Sequence, residues 1–281
     1  MKSSAGSSAL EPLIAYCRQH PAPDVDLERF LRHLSSGLSA IVDRRDAGVV
    51  GVILDRARSP SGAAQFHVVG SAASAIDAAT AEAVLYQALA AGRKLGLAAL
   101  DLAIDAFWAQ HRPLQEAMGM RLAYCDLSMR SSDGAWGPDA ELPERCAWHD
   151  LTPDRIDDYL RLQKAAFAGI DGIYAPEPAE QRRVLEAGKV AVRILSDGTR
   201  ILAALRYRAE DAFLYSLVRD PAAKGRGFGR LMLDEARRRL PGRALTLDVV
   251  SSNRPALDLY RRHGFEIVRE QDVLTKTLGA A

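Results

Sequence analysis

Cysteine is scarce. Cys17, Cys125 and Cys146 are odd in number and far apart, with no CxxC pair. That excludes a disulfide-stapled scaffold and a cysteine-built metal centre. The expectation is reduced, inert thiols in a cytoplasmic protein. The six histidines show no HxxxH spacing, so no metal is expected. Charge of one sign is also lacking: Lys plus Arg is 37 against 36 for Asp plus Glu, leaving +1. Such a balance gives no global pull toward nucleic acid or an anionic membrane. No run of about 18 apolar residues occurs, so no membrane span is expected. The opening MKSSAGSSAL lacks the apolar stretch of a signal peptide. What is present is ordinary for globular protein: 281 residues, 48% apolar and 26% charged. The length is enough for about two domains.

Helical spacing of apolar residues marks Leu10–Cys17, Val25–Leu38, Ala79–Leu95 and Pro113–Met118. Strand patterns fall in Ala40–Leu54, Ala64–Val69, Leu97–Ile104 and Leu122–Met129, with a turn at Ser59–Gly62. Residues 131–145 hold the Gly, Pro, Ser and Asp-rich SSDGAWGPDAELPE and read as a linker between domains 1–130 and 146–281. The second half opens with Thr152, Pro153 and Asp154, a helix-start signal. A further helix follows at Pro178–Ala187. Val190–Leu195 and Arg200–Tyr207 flank Ser-Asp-Gly-Thr as a hairpin. Ala212–Val218 (strand), Gly227–Leu240 (helix), Ala244–Val250 (strand) and Pro255–His263 (helix) come next. Two closing strand stretches, Glu266–Val268 and Val273–Leu278, end the chain.

An offset of 264 − 119 = 145 residues superimposes Gly119-Met120 on Gly264-Phe265, and Leu100 and Leu102 on Leu245 and Leu247. Each half then reads strand, long helix, strand, short helix, Gly, strand. The pattern points to duplication of one domain.

The sharpest segment is LYSLVRDPAAKGRGFG, Leu214–Gly229. A strand, a turn at Asp220-Pro221 and a glycine-rich stretch lead into a helix. Its apolar face carries Phe228, Leu231, Met232 and Ala236, with Arg226, Arg230 and Arg237 off it; Arg239 falls on the apolar side and does not fit. Unsatisfied N–H groups at a helix start, with the macrodipole, attract phosphate. Glycines remove the side chains that would hold it away. The bland alternative is a turn with helix packing. A Walker A loop lacks its Lys-Ser/Thr ending, and GxGxxG fails because Arg230 or Met232 stands where the third glycine belongs. Downstream, Asp248 lies near a strand end, and Asn253, Pro255, Tyr260 and Gly264 suit an N-cap, a first-turn proline, a core residue and a left-handed C-cap.

Taken in order, these pieces resemble the GNAT superfamily of N-acetyltransferases. The loop Gln/Arg-x-x-Gly-x-Gly/Ala is met by Lys224, Gly225, Arg226, Gly227, Phe228 and Gly229, with Lys at the first position. Asn-x-x-Ala-x-x-x-Tyr-x-x-x-Gly-Phe is met by Asn253, Ala256, Tyr260, Gly264 and Phe265. The resemblance covers Trp148–Leu278, and over Ala40–Arg130 it is one of element order. It implies an α/β (α+β) chain of two GNAT-like domains, each a mixed, mostly antiparallel sheet flanked by helices. It also implies acetyl transfer from acetyl-CoA to a primary amine by direct attack. The Gly225–Arg230 amides would take the pyrophosphate. The splayed strand edge Ser216, Leu217, Val218 would pair with the pantetheine arm, the N–H of Val218 facing the thioester oxygen. Asn253 would contact that arm, Tyr260 would protonate the leaving sulfur, and Asp248 would serve as base through water. A solvated or salt-bridged Asp248 is the alternative, and Glu210, Asp211, Tyr215 and Ser216 are the other candidate bases.

Under the same offset the first half lacks this equipment. Glu82 falls opposite Gly227, Trp108 opposite Asn253, Ala103 opposite Asp248 and Gln115 opposite Tyr260. A degenerate domain that does not bind acetyl-CoA is expected. His111, His149 and His263 read as surface or cap residues. Two fused domains could imitate a dimer, which favours a monomer. A non-catalytic acyl-CoA-binding protein, or a transferase using another acyl or aminoacyl donor, are the other readings. The acceptor, a small-molecule or peptide amine, is left open.

Overall fold

The computed structural model describes residues 49–55, 63–71, 77–94, 96–104, 106–132, 139–170, 173, 178–188 and 190–279. The helices expected at Leu10–Cys17 and Val25–Leu38, the turn at Ser59–Gly62 and the linker around Trp136 lie outside these. The elements run β1 (Val49–Asp55), β2 (Ala63–Ser71), α1 (Ala78–Lys94), β3 (Ala99–Ala103), α2 (Ala106–Ala109), α3 (Arg112–Ala117) and β4 (Arg121–Ser131). Then come β5 (Ala147–Asp150), α4 (Ile156–Phe167), α5 (Pro178–Glu186), β6 (Ala191–Ser196), β7 (Ile201–Arg208) and β8 (Phe213–Arg219). The chain closes with α6 (Phe228–Arg239), β9 (Thr246–Val250), α7 (Arg254–Arg262) and β10 (Phe265–Thr277). Short 3₁₀ turns occupy Pro153–Arg155 and Pro221–Ala223. The two closing strand stretches expected from sequence are one strand, β10, because its residues stay paired beyond the polar Arg269–Asp272.

Contacts divide the chain into two compact units. One contains the residues up to Ala123 together with those from Gln271 onward; the other is Tyr124–Glu270. The division does not follow the 131–145 boundary, and strand exchange is the reason. β4, from the first half of the sequence, pairs antiparallel with β9 in the second unit, Ser128 opposite Asp248. β10, from the second half, pairs antiparallel with β3 in the first unit, Val273 opposite Ala103. The offset of 145 carries one register onto the other: 128 + 145 = 273 and 248 − 145 = 103. Gly119 and Gly264 obey the same offset, and both take φ +73 where a short helix turns into the last strand.

In the first unit the neighbours run β1-β2-β3-β10, with β2 and β3 parallel. The apolar stripe of α1 (Ala81, Val84, Leu85, Ala88, Leu89) packs in one core with Leu100, Leu102, Trp108, Met120 and Leu274. In the second unit the order is β4-β9-β8-β7-β6-β5, antiparallel except for β8 and β9. The face formed by Leu205, Tyr207, Leu214, Leu247 and Met129 shares a core with Leu233 and Ala236 of α6 and Leu257 and Tyr260 of α7. The opposite face, with Val192, Ile194, Ala204 and Val218, is covered by Tyr159 and Leu162 of α4. Arg239, which does not fit the apolar stripe of its helix, is accounted for by a 3.0 Å ion pair with buried Glu235. Glu235 also meets Arg193 at 2.9 Å, both side chains being buried.

Candidate active site

The site forms where β8 parts from its parallel neighbour. The β8–β9 ladder consists of Phe213 opposite Thr246 and Leu214 opposite Leu247, and goes no further. The break coincides with a β-bulge. On β7, Arg206 and Tyr207 are adjacent, while their partners Ser216 and Leu214 leave Tyr215 as an extra residue. From Ser216 to Arg219, β8 is held by β7 on one side, and among the described residues no strand pairs with its other edge.

The bulge also decides which amides face the opening. Asp220 N–H donates to Leu202 O at 2.8 Å, and Ala204 is opposite Val218 in the same register. Hydrogen-bonded pairs alternate along an antiparallel ladder, so Val218 and Ser216 turn their N–H groups toward β7. Leu217 and Arg219 turn theirs to the open edge. The donor expected at Val218 is therefore misplaced by one residue, because the extra Tyr215 shifts the alternation. Val218 is buried against α4.

The strand runs through Pro221–Ala223 into the glycine loop. Asp220 caps that turn by accepting from Ala222 N–H at 2.9 Å. Gly225 and Gly227 hold φ of +82 and +78, conformations that disfavour ordinary side chains, and no atom of the described residues lies within 4 Å of where a Cβ would stand on either. Gly227 is the N-cap of α6. Among the described residues, no partner meets the N–H groups of Gly225, Gly227, Phe228 or Gly229. Lys224 and Arg226 are exposed beside them, with Arg226 over the ring of buried Phe228 at 5.4 Å. Arg230 lies 3.7 Å from Asp234. Gly229 has a different reason to be small: a Cβ there would stand 2.7 Å from Leu259 of α7. This close approach docks the start of α6 on α7.

Helix α7 starts at Asn253, whose Oδ1 accepts from Ala256 N–H at 3.4 Å, so the capping role read from sequence is observed. Tyr260 is buried, its ring 5.6 Å from that of Phe265, in the same core as Leu217. Desolvation pushes its hydroxyl far above the ordinary phenol range. Asp248 is the first residue of β9 past the end of the β8–β9 ladder, and it is exposed. Its Oδ1 accepts a 2.7 Å hydrogen bond from Ser128 Oγ. Sequence reasoning missed Ser128, which enters the site only through the exchanged strand β4. Of the other candidate bases, Asp211 pairs with Arg208, whose hydrogen bond holds its carboxyl below the ordinary range. Glu210 and Tyr215 are exposed, and Ser216 is buried.

The first unit is built differently at the matching positions. The start of α6 at residue 228 corresponds to 228 − 145 = 83, yet α1 already begins at Ala78. Helix occupies what is loop in the second unit. Trp108 is buried, and so is Gln115, which donates to Trp108 O at 2.8 Å. His111 and His263 stand at helix ends, and His149 is exposed. Among the described residues Cys125 and Cys146 form no disulfide. Among the described residues no helix is long and apolar enough to cross a membrane, and no group of His, Cys, Asp and Glu is placed to hold a metal.

Known proteins supply an independent comparison. No curated protein matches the sequence. Solved structures do match in fold. The chain is similar to a GCN5-related N-acetyltransferase from Sphaerobacter thermophilus, with 18% identity and TM-score 0.64, covering 96% of this chain and 92% of that one. It is also similar to a probable N-acyltransferase from Enterococcus faecalis, with 13% identity, TM-score 0.64 and coverage of 99% and 71%. A tandem GNAT protein from the clavulanic acid biosynthesis pathway aligns at 14% identity and TM-score 0.56, over 79% of this chain and 77% of that one. The acetyltransferase (GNAT) family model matches residues 154–265, which span α4 through the Gly264-Phe265 turn. With its split β8–β9 pair and its glycine loop, this stretch of the chain is a domain of the acetyltransferase (GNAT) family.

Proposed function

We propose that the second unit transfers an acetyl group from acetyl-CoA to a primary amine by direct attack. The observation that carries this reading is the end of the β8–β9 ladder at Leu214–Leu247, eleven residues (225 − 214 = 11) before the amides of Gly225, Gly227, Phe228 and Gly229, which have no partner among the described residues. One open strand edge and one anion-binding helix start thus follow each other along a single path. A thioester on an amide-containing arm that ends in a pyrophosphate suits both.

The pyrophosphate is taken by the N–H groups of Gly225, Gly227, Phe228 and Gly229, aided by the α6 dipole and the cations Lys224, Arg226 and Arg230. The amides of the pantetheine arm pair with the open edge at Leu217 and Arg219, and the Asn253 side chain adds a polar contact. The thioester oxygen accepts from Leu217 N–H, which stabilises negative charge as the amine attacks. An alkylammonium has a pKa near 10 and must first lose a proton. Asp248 receives it, directly or through water, with Ser128 fixing the carboxylate. The new N–C bond forms as the C–S bond breaks, Tyr260 gives its proton to the departing sulfur, and the proton that the nitrogen sheds as it becomes an amide returns through water to the tyrosinate. Burial suits Tyr260 to this task, since it keeps the hydroxyl protonated.

The two halves are proposed to be copies of one domain, the first without a donor site, because helix α1 fills the matching loop. The enzyme is proposed to be cytoplasmic, a reading that two cysteines without a disulfide among the described residues support. Calorimetry with acetyl-CoA, followed by thiol-release assays on a panel of amines, tests the reading. Micromolar binding and amine-dependent thiol release are expected; no heat from any acyl-CoA would refute it.

A further inference from the structure

Arg206 is a half-buried guanidinium with no carboxylate partner among the described residues. It stands on β7 opposite Ser216, beside the bulge that opens the strand pair. Leu205 and Tyr207, its neighbours along the strand, both point into the core under α6. Arg206 therefore projects from the opposite face of the sheet. Asp248 projects from that face too, since Leu247 and Val249 belong to the α6 core.

Around Arg206 lie two buried hydroxyls. Tyr159 of α4 is fully buried and Ser216 is 6% exposed. The charge and dipoles of Arg206 and Ser216 act on the Tyr159 hydroxyl against the burial that raises its pKa. Despite this proximity, Tyr159 Oη, Ser216 Oγ and Arg206 Nε are each buried without a hydrogen bond of normal geometry. Tyr215, 40% exposed, supplies a ring 5.3 Å beneath the guanidinium. Stacking occupies the flat face of the guanidinium and leaves its in-plane N–H donors to be used. The neighbouring Arg208 is satisfied by Asp211 and so leaves Arg206 as the uncompensated charge of this group.

We propose that Arg206, with Tyr159 and Ser216, binds a carboxylate of the acceptor, and that the acceptor is an amino-acid-type molecule bearing a primary amine and a carboxylate a few bonds apart. A planar fork of donors matches a planar carboxylate. One uncompensated positive charge matches a monoanion, and Asp248 on the same face disfavours a phosphate dianion. The spacing also fits: Arg206 is one strand, about 5 Å, from the edge where the amine meets the thioester. Arg206 is a specificity-determining residue on this reading, which rests on the acyl-transfer function above.

The test compares α-amino acids with their primary amides and with the corresponding decarboxylated amines, on the full chain. The wild type is expected to favour the amino acids in kcat/KM by about 10- to 100-fold. Arg206→Gln is expected to erase that preference by raising KM for amino acids alone, with acetyl-CoA affinity unchanged. Calorimetry with N-acetylamino acids and their amides, in the presence of CoA, gives a second readout that does not need turnover: binding by wild type, and loss of it in Arg206→Gln. Equal use of all three amine classes, or an equal loss on all of them in the variant, would overturn the assignment while acyl transfer stands. Absence of acetyl-CoA binding and of turnover with every amine would remove the underlying function. An absence of heat from every N-acetylamino acid would overturn the carboxylate site by itself.

Discussion

Ser128 donates a 2.7 Å hydrogen bond to Asp248 although 120 residues separate them in sequence. The bond holds one carboxylate oxygen of Asp248 and leaves the other able to accept a proton. Asp248→Ala is expected to lower kcat for amine acetylation by about 100-fold, within the usual range for loss of a general base. Acetyl-CoA affinity should not change, and added formate should restore part of the rate. Steady-state kinetics with and without formate decides it; a variant as fast as wild type would show that the carboxylate takes no proton.

Tyr260 offers a proton from a desolvated site. Tyr260→Phe preserves the ring packing against Phe265 and removes only the hydroxyl. A loss of about 100-fold in kcat with unaltered acetyl-CoA binding is expected for a general acid. Unchanged turnover across the working pH range would assign the leaving-group proton to another donor.

Burial raises the pKa of three phenols, Tyr159, Tyr207 and Tyr260. In the unfolded chain they ionise near pH 10, whereas the folded protein holds its protons to higher pH. The unfolded state therefore releases protons first, and stability must fall as pH rises above about 10. Below that, these groups contribute no pH dependence. Urea unfolding at pH 9 and pH 11 checks the sign, and Tyr260→Phe should reduce the alkaline loss.

Gly225 has open space about it but a φ of +82. Gly225→Ala therefore meets no clash and suffers only the backbone penalty of about 1–2 kcal/mol. If the variant escapes that strain by changing the loop, the row of amides is disturbed. The expected result is acetyl-CoA binding weakened about 10-fold with kcat at saturation nearly kept, read by calorimetry and kinetics.

Arg193 and Glu235 are a buried ion pair away from the opening, 2.9 Å apart. Glu235→Ala takes from buried Arg193 its one buried carboxylate and leaves it only the exposed Asp150 at 2.8 Å. The variant is expected to cost about 1–3 kcal/mol of stability, less than for a pair with no second partner. Denaturant unfolding should show the loss, while the fraction that remains folded keeps its acetyl-CoA affinity.

The loop Lys224–Gly229 and the Asn253–Phe265 stretch were legible because their geometry is local. A left-handed glycine, an N-cap and a helical repeat each depend on residues within one or two turns of each other. The order of elements was legible for the same reason, and the offset of 145 matched Gly119 to Gly264 correctly. The continuous β10 was not, because polar Arg269–Asp272 read as a break until Val273–Thr277 was seen paired with β3. Nor was the identity of the open-edge amide. That turns on the bulge at Tyr215, one extra residue whose effect is to exchange Val218 for Leu217.

By itself, then, the sequence determined the helices and strands of the second half apart from the continuous β10, the left-handed glycine turn that opens α6 and the cap at Asn253. Local backbone preference and hydrophobic period suffice for these. Only the tertiary structure decided that Ser128 reaches Asp248, that Arg206 has no counter-ion among the described residues, and that the last strand of each half completes the other unit. These depend on register between strands far apart in the chain, and register is set by how whole faces pack.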